Sequence, residues 1–495
     1  MNLGALLNGI DYEIVCGTQD KDVKSLVYHS DKAAQGSVFF AVRGETCDGR
    51  GYIASALEKG AEVIVTDLVD EEIKGLVRMQ GATLVQTEDT RKALSKASIN
   101  YFDNPSSHLL TIGITGTKGK TTTAFMIKQI FEHAGIKTGI IGTVISGYDG
   151  CYEESTATTP QSYDVQRMLR SMVNADCKAV VMEVSSQGLM HQRVYGMEFD
   201  CTVFTNISPD HIGPGEHKNF EEYIYWKSML FGQAKMAIIN KDDSLWKSVA
   251  GHTSAKRIIT FGTESTAVGD VTYRAENIVL FTSGEELGME YVISGRKIMI
   301  PMPGIFNVSN SLAAVAAARA AGVSWDIIEE ALRTVKIRGR TEQVSAGHDF
   351  TVLVDYAHNG AALKSLLKSL REYEPARLII VFGCGGGRDT NRRAEMSRAA
   401  AYFADFSIVT TDNPRQENPE DIIYDITKEL NEAGASFKVV ADRGQAIREA
   451  LEMAVPSDIV VVAGKGHETY QITGKQKRHF DDREAILEWA ASGKG

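Results

Sequence analysis

Residues 109–135 constrain the fold most, because an apolar run, a glycine-rich octet and a helical pattern follow one another there without a break. Residues 109–115 read as a buried strand. In Thr115-Gly116-Thr117-Lys118-Gly119-Lys120-Thr121-Thr122 the glycines let backbone N–H groups converge on phosphate oxygens, and the helix behind them adds its positive end. On that helix Ile127, Ile130, Phe131 and Ala134 fall at helical spacing, and Gly135 stops it. Lys120 supplies a point charge for the β and γ phosphates, and the Thr121 hydroxyl joins the shell of a Mg²⁺ ion. A strict GxxxxGK[ST] pattern needs glycine where Ile114 stands, so the spacing departs from the ordinary phosphate loop. The octet is read as an ATP site.

Alternating strand-like and helix-like stretches run through the rest of the chain, which argues for α/β layers. No internal repeat and no low-complexity segment breaks them. A length of 495 residues suits about three domains. Strands are expected at 37–42 and 62–66, around a helical 53–59, and a breaker cluster with Asn104-Pro105 marks a boundary within 101–107. Further strands are expected at 179–184, 201–205 and 236–240. A second boundary near 336–340 precedes strands at 351–355, 378–382, 406–411 and 458–463. The last three run straight into loops rich in glycine or polar groups, and parallel sheets place ligands at such carboxyl ends.

Composition removes several classes of function. Acidic residues outnumber basic ones, 64 to 53, and no Lys/Arg block stands out, which excludes a coat for nucleic acid. The first basic residue is Lys21, unlike the basic start of a signal peptide. No uncharged apolar run approaches the ~18–20 residues of a membrane span, and the richest stretch, 311–321, is interrupted by Arg319. Six scattered cysteines without a CxxC pair read as reduced thiols. A cytosolic multidomain protein is expected.

An acidic residue is needed near the metal. Glu183 ends the 179–184 strand ahead of Ser185-Ser186, where it can hold Mg²⁺ directly or through water, or simply be solvated. Asp210-His211, after the 201–205 strand, is placed to reach the same cleft.

Together these residues resemble the Mur ligase family, ATP-dependent enzymes that add amino acids to the peptidoglycan precursor. The likeness spans essentially the whole chain. It includes the octet, Thr158-Thr159-Pro160, Glu183-Val184-Ser185-Ser186, Asn206 with Asp210-His211, and Lys227. It continues through Pro303-Gly304 with Phe306-Asn307, Gly339-Arg340, Asp355-Tyr356-Ala357-His358 and Gly464-Lys465-Gly466-His467-Glu468. The family's own loop, Gly-Thr-x-Gly-Lys-Thr/Ser, accounts for the failed stricter pattern. Within the family the chain is similar to the ligases that add the third residue of the stem peptide. His29-Ser30, Gly36-Ser37-Val38-Phe39, Gly44 and Asp48-Gly49 resemble the UDP-binding domain of those members, with Asp31 where arginine is common. Asp412-Asn413-Pro414-Arg415 matches the motif of meso-diaminopimelate-adding members. A guanidinium binds the distal carboxylate of that amino acid bidentately and repels a terminal lysine ammonium.

The resemblance implies an α/β fold in three domains: a UDP-substrate-binding domain over 1–106, a central P-loop ATPase-like parallel-sheet domain over 107–336, and a Rossmann-like amino-acid-binding domain over 337–495. It implies a monomeric cytoplasmic ligase of cell-wall biogenesis, and hence of cell shape and division. Its partners are UDP-N-acetylmuramoyl-dipeptide and a diamino acid. Carried over by motif, Ser30, Thr158, Thr159, Ser185, His191 and Arg193 hold the dipeptide substrate, His191 standing where glutamine is commoner. ATP lies on Gly116, Thr117, Lys118, Gly119, Lys120, Thr121 and Thr122, with Asn307 near the base, Arg340 near the phosphates and Asp355 near the ribose. The incoming amino acid meets Arg388, Asp412, Asn413, Pro414, Arg415, Gly464 and Glu468. Thr121, Glu183, His211 and Lys227 bind Mg²⁺, Lys227 as a carbamate, and Lys120, Lys227, His211 and Arg340 are catalytic. The reaction implied passes the γ-phosphoryl group to the substrate carboxylate, and the amine then displaces phosphate, with domain closure before chemistry. The lysine-adding version of the enzyme is the nearest alternative. A folylpolyglutamate synthase lacks the N-terminal domain, and a non-catalytic nucleotide-binding regulator has no need of Lys120, Glu183, Lys227 and Arg340 together.

Overall fold

The apolar run before the octet is the strand Leu110–Thr115, and it sits in the middle of a parallel sheet. On one side it pairs with Ala179–Glu183 and on the other with Cys201–Phe204, residue for residue. The order continues outward through Thr138–Ile141 on the first side, and through Met236–Asn240 and Arg257–Thr263 on the second, all parallel. An antiparallel hairpin, Ile145–Tyr148 with Cys151–Glu154, closes the first edge. Ala179–Glu183, Cys201–Phe204 and Thr138–Ile141 are buried at every residue, because helices cover both faces of a parallel sheet.

This computed structural model describes residues 1–44, 47–155, 157–213, 215–263, 269–345, 347 and 349–492. They fall into two compact units. The first comprises Met1–Gly262, residues 269–272 and Ala313–Val323, and it holds the sheet just described. It also holds a five-stranded sheet ordered Tyr12–Cys16, Thr83–Thr87, Ala61–Thr66, Ser37–Phe40, Ser25–Val27, in which only the first pair is antiparallel. Alternate residues of its strands feed opposite cores. Val38, Val63 and Val85 pack with Leu3, Leu6 and Leu94, while Phe39, Ile64 and Leu84 pack with Ile53, Leu57 and Val77.

The second unit comprises Thr263, Tyr273–Leu312 and residues 324–492. Its six-stranded sheet runs Glu342–Gln343, Thr351–Asp355, Ile459–Ala463, Leu378–Phe382, Phe406–Val409, Phe437–Val439, parallel after the first pair. Tyr273–Ser283, Glu286–Ile293 and Arg296–Ile300 form an antiparallel meander in the same unit. The carboxyl ends of four neighbouring strands therefore lie side by side, at Asp355, Ala463, Phe382 and Val409. The strands expected at 37–42, 179–184, 201–205, 406–411 and 458–463 are one or two residues shorter, as the ladder hydrogen bonds stop before the outermost residues. The six cysteines are free thiols. Among the described residues no helix is long and apolar enough to cross a membrane.

Candidate active site

Sheet order explains the first cluster of side chains. The strand leading into the octet ends level with Glu183 on one neighbour and Phe204 on the other, so the loops after all three strands meet. Helix Lys120–His133 starts behind Gly119, which is left-handed at φ +84°. Gly116 has φ +150°, and a Cβ there would stand 2.0 Å from the Thr205 hydroxyl. The loop is fastened from the 205–208 segment. Thr117 N donates to Asn206 O at 2.8 Å, Lys118 N donates to Asn206 Oδ1 at 2.9 Å, and Asn206 Nδ2 returns a bond to Lys118 O at 3.1 Å. Asn206 enters the sequence reading only as part of a motif, and here it shapes the phosphate loop.

Two ammonium groups share one carbonyl of that loop. Lys120 Nζ donates to Gly116 O at 2.9 Å and Thr117 O at 3.1 Å, and Lys227 Nζ donates to Gly116 O at 2.8 Å. Lys227, on helix Phe220–Ser228, is 2% exposed and lies 4.6 Å from the Tyr223 ring centroid. Burial pushes its amine well below the ordinary lysine range, and the charge of Lys120 pushes it further. The Tyr223 hydroxyl meets the Thr117 hydroxyl at 3.1 Å.

Glu183 is 1% exposed and takes hydrogen bonds from Thr121 Oγ1 at 2.9 Å, Thr143 N at 2.8 Å and Thr143 Oγ1 at 3.0 Å. No ion pair neutralises it among the described residues. A buried carboxylate beside a helix-start hydroxyl is a donor set that suits a hard cation. Thr143, which nothing in the sequence singles out, links this carboxylate to Thr158, hydroxyl to hydroxyl at 3.1 Å. The candidate substrate residues then form one chain. Thr159 Oγ1 donates to Glu183 O at 3.0 Å, Ser185 N donates to Thr159 Oγ1 at 2.9 Å, and Arg193 Nη1 donates to Thr159 O at 2.8 Å. Ser185 caps the short helix Ser186–Met190 through Gly188 N, and His191 is buried at its other end.

The His211 ring lies 6.4 Å from that of Tyr223, centroid to centroid. The His211 side chain is half-exposed, its Nδ1 is 2.8 Å from Glu216 Oε1, and its backbone is left-handed at φ +55°. His217 is fully buried, 2.8 Å from the Ser186 hydroxyl and edge-on to Tyr223. Asp210 pairs with Lys118 at 3.0 Å. In the five-stranded-sheet region Ser30 is buried in a short 3₁₀ turn, and Asp31 pairs with Lys59 at 2.7 Å.

The second unit gathers the other candidates. Arg340 lies over the Tyr356 ring, 4.7 Å from its centroid. Gly339 has φ +65°, and a Cβ on it would stand 2.1 Å from His467 N, so the Gly339-Arg340 turn rests on the Gly466-His467 backbone. Thr341 adopts φ +40°, rare for a β-branched residue, and ties the cluster together. Its N–H donates to Asp355 Oδ2 at 2.7 Å, and its hydroxyl accepts from Asn307 Nδ2 at 3.3 Å. Burial raises the Asp355 carboxyl. Burial, followed by the charges of Arg340 and Arg338, pushes the His467 imidazole down to about 3. Gly339→Ala is expected to destabilise the protein by about 2–4 kcal/mol, combining a left-handed backbone with overpacking, which chemical denaturation would register.

Asp412 and Asn413 are buried and point inward. Asp412 Oδ1 accepts from Asn413 N at 2.6 Å, and a Cβ on Gly464 would meet Asp412 Oδ2 at 2.9 Å. Asn413 donates to Glu468 Oε2 at 2.8 Å and accepts from Ile472 N at 2.9 Å. Lys465, fully buried, reaches the same Glu468 oxygen at 3.1 Å. Of the four-residue motif, the guanidinium of Arg415 turns toward the glycine loop, donating to Gly386 O at 2.8 Å, while Pro414 packs its carbonyl on Gly386. Arg388 is exposed in that same loop.

Models of known families match three stretches of the chain: "Mur ligase family, catalytic domain" over residues 22–101, "Mur ligase middle domain" over 114–318, and "Mur ligase, glutamate ligase domain" over 339–466. The chain is 39% identical over 489 residues to a UDP-N-acetylmuramoyl-L-alanyl-D-glutamate--2,6-diaminopimelate ligase of Caldanaerobacter subterraneus, covering 99% of this chain and 98% of that protein. It is 38% identical over 495 residues to the ligase of the same name from Clostridium perfringens, covering 99% of each. A solved structure of a UDP-N-acetylmuramoyl-L-alanyl-D-glutamate--2,6-diaminopimelate ligase matches at a TM-score of 0.70 and 27% identity over 99% of both chains. The chain belongs to the Mur ligase family.

Proposed function

We propose that the protein is the ATP-dependent, ADP-forming ligase that adds meso-diaminopimelate to UDP-N-acetylmuramoyl-L-alanyl-D-glutamate, a cytoplasmic step of peptidoglycan precursor synthesis. The observation that carries the choice of amino acid is the intact Asp412–Arg415 motif with its guanidinium free of any carboxylate partner among the described contacts. Full-length likeness to 2,6-diaminopimelate ligases supports the same choice.

In this reading the loop N–H groups and Lys120 bind the β and γ phosphates, and Lys120 leaves the Gly116 and Thr117 carbonyls to do so. Thr121 and Glu183 hold Mg²⁺, and carbamylated Lys227 with His211 holds a second ion. The ions neutralise phosphate oxygens when bound. Thr158, Thr159, Ser185, His191 and Arg193 seat the dipeptide, with its UDP end near Ser30. Its carboxylate oxygen attacks the γ-phosphorus, ADP departs, and the acyl phosphate keeps the transferred group. The amine of the incoming amino acid attacks the carbonyl carbon, phosphate leaves, and the nitrogen loses a proton. Arg340 steadies phosphate charge, Asn307 and Asp355 hold base and ribose, and Arg388, Arg415, Gly464 and Glu468 orient the amino acid.

ADP release measured with the UDP-linked dipeptide and a panel of amino acids tests this reading. Turnover is expected with meso-diaminopimelate, and turnover with L-lysine alone would replace it by the lysine-adding version. Arg415→Ala is expected to lose about 2–4 kcal/mol of diaminopimelate transition-state binding, the worth of one bidentate charge-assisted pair in a partly buried site. ATP KM in that variant is expected to stay unchanged.

A further inference from the structure

The last helix begins with consecutive residues that each carry an ion pair, and each pair ends beside the second unit's site residues. Asp481 caps helix Asp482–Ala491 by accepting from Arg483 N at 2.9 Å, and its other oxygen pairs with Arg338. Arg483 Nε lies 3.2 Å from Glu342 Oε1, and Glu342 Oε2 accepts from Gly339 N at 2.7 Å. Residues on either side of Gly339-Arg340 are thus both held by one helical turn. Asp482 takes Arg443 bidentately, at 2.7 and 2.8 Å, with both side chains fully buried. Arg443 Nη2 also donates to Ala463 O at 3.0 Å, next to Gly464. Its Nη1 has no hydrogen-bond partner among the described residues and faces Asp412 Oδ2 at 4.0 Å.

A fully buried ion pair is a poor source of stability, since desolvation takes back most of the Coulombic gain. Its fixed fork geometry is better suited to orientation. We propose that the Asp481-Asp482-Arg483 turn is a positioning clamp. Through Arg338 and Glu342 it sets the bearing of Arg340, and through Arg443 it sets the Asp412 and Gly464 side of the amino-acid subsite. The identity of the substrates rests on the ligase reading above, but the clamp itself does not.

The test uses the full chain carrying the double substitution Arg443→Met/Asp482→Leu, which removes both members of the fully buried pair and takes the guanidinium away from Asp412, and the single substitution Arg483→Gln. The double variant is expected to keep its thermal midpoint while KM for diaminopimelate rises about tenfold, the loss of one charge-assisted contact, with ATP KM within about twofold of wild type. Hydrogen exchange should quicken at residues 412–415 and 463–468. Arg483→Gln is expected to do the reverse, raising ATP KM and quickening exchange at 339–342. A folded double variant with wild-type diaminopimelate KM and wild-type exchange in both segments would overturn the clamp. If the double variant does not fold, unchanged exchange and ATP KM in Arg483→Gln overturn it instead. A wild-type chain without turnover refutes the ligase reading, and the exchange comparison still decides the clamp.

Discussion

Lys227→Ala is expected to fold and to lose on the order of a thousandfold in turnover, the scale seen when a key electrostatic group leaves a preorganised site. The reasoning starts from burial. An ammonium 2% exposed, with Lys120 on the same carbonyl, is disfavoured against its neutral form. A neutral amine can attack the carbon of carbon dioxide and release a proton, and the carbamate formed is an anionic oxygen donor suited to a hard cation, which an ammonium would repel. A small carboxylate such as acetate, filling the space left by the side chain, is expected to restore part of the rate. Stripping carbon dioxide from the wild type should lower its rate, and bicarbonate should restore it. Full activity in Lys227→Ala would end this assignment. The same amine gives a pH signature in buffer free of carbon dioxide. Its folded pKa lies below the unfolded value near 10.5, so between the two the unfolded chain binds the extra proton. Wild-type stability should therefore rise with pH through that window, by a contribution absent from Lys227→Ala.

Lys120→Ala is expected to be comparably damaging, again on the order of a thousandfold in turnover, but through nucleotide binding. Its ammonium donates to the Gly116 and Thr117 carbonyls, bonds that phosphate oxygens can replace with charge-assisted ones. Calorimetric titration with a non-hydrolysable ATP analogue should show weaker binding, and the fold should persist because the side chain is part-exposed at the loop. Wild-type affinity and turnover in this variant would remove the octet from the phosphate site.

How much of this is written in the chain depends on whether the information is local. The order apolar run, glycine octet, amphipathic helix is local, and it places the phosphate loop because a strand feeding a helix through left-handed glycines has few alternatives. The carboxyl-end loops of the second unit are legible for the same reason, since buried parallel strands are continuous apolar runs that stop at a polar residue or a glycine. The motif Asp412–Arg415 is visible as a string, but not the direction of its members. Two of them face inward to Asn413 N, Glu468 and Ile472 N, while Arg415 alone turns its guanidinium to the glycine loop.

Lys227 marks the limit most sharply. On its own helix, among Tyr225, Trp226 and Ser228, it has the look of a solvated lysine. Only the pairing of three strands, which sets the 205–208 segment and the helix after it against the octet, buries its amine on Gly116 and changes its chemistry. Thr143 on Glu183, Asn206 on the loop and Arg443 behind Asp412 are further cases. The α/β layering, the phosphate loop and the family motifs are legible in the chain, because each depends on residues near one another along it. Which polar groups lose water, and whom they meet, follows from the folded arrangement, because burial and long-range hydrogen bonds arise only when distant strands are laid side by side.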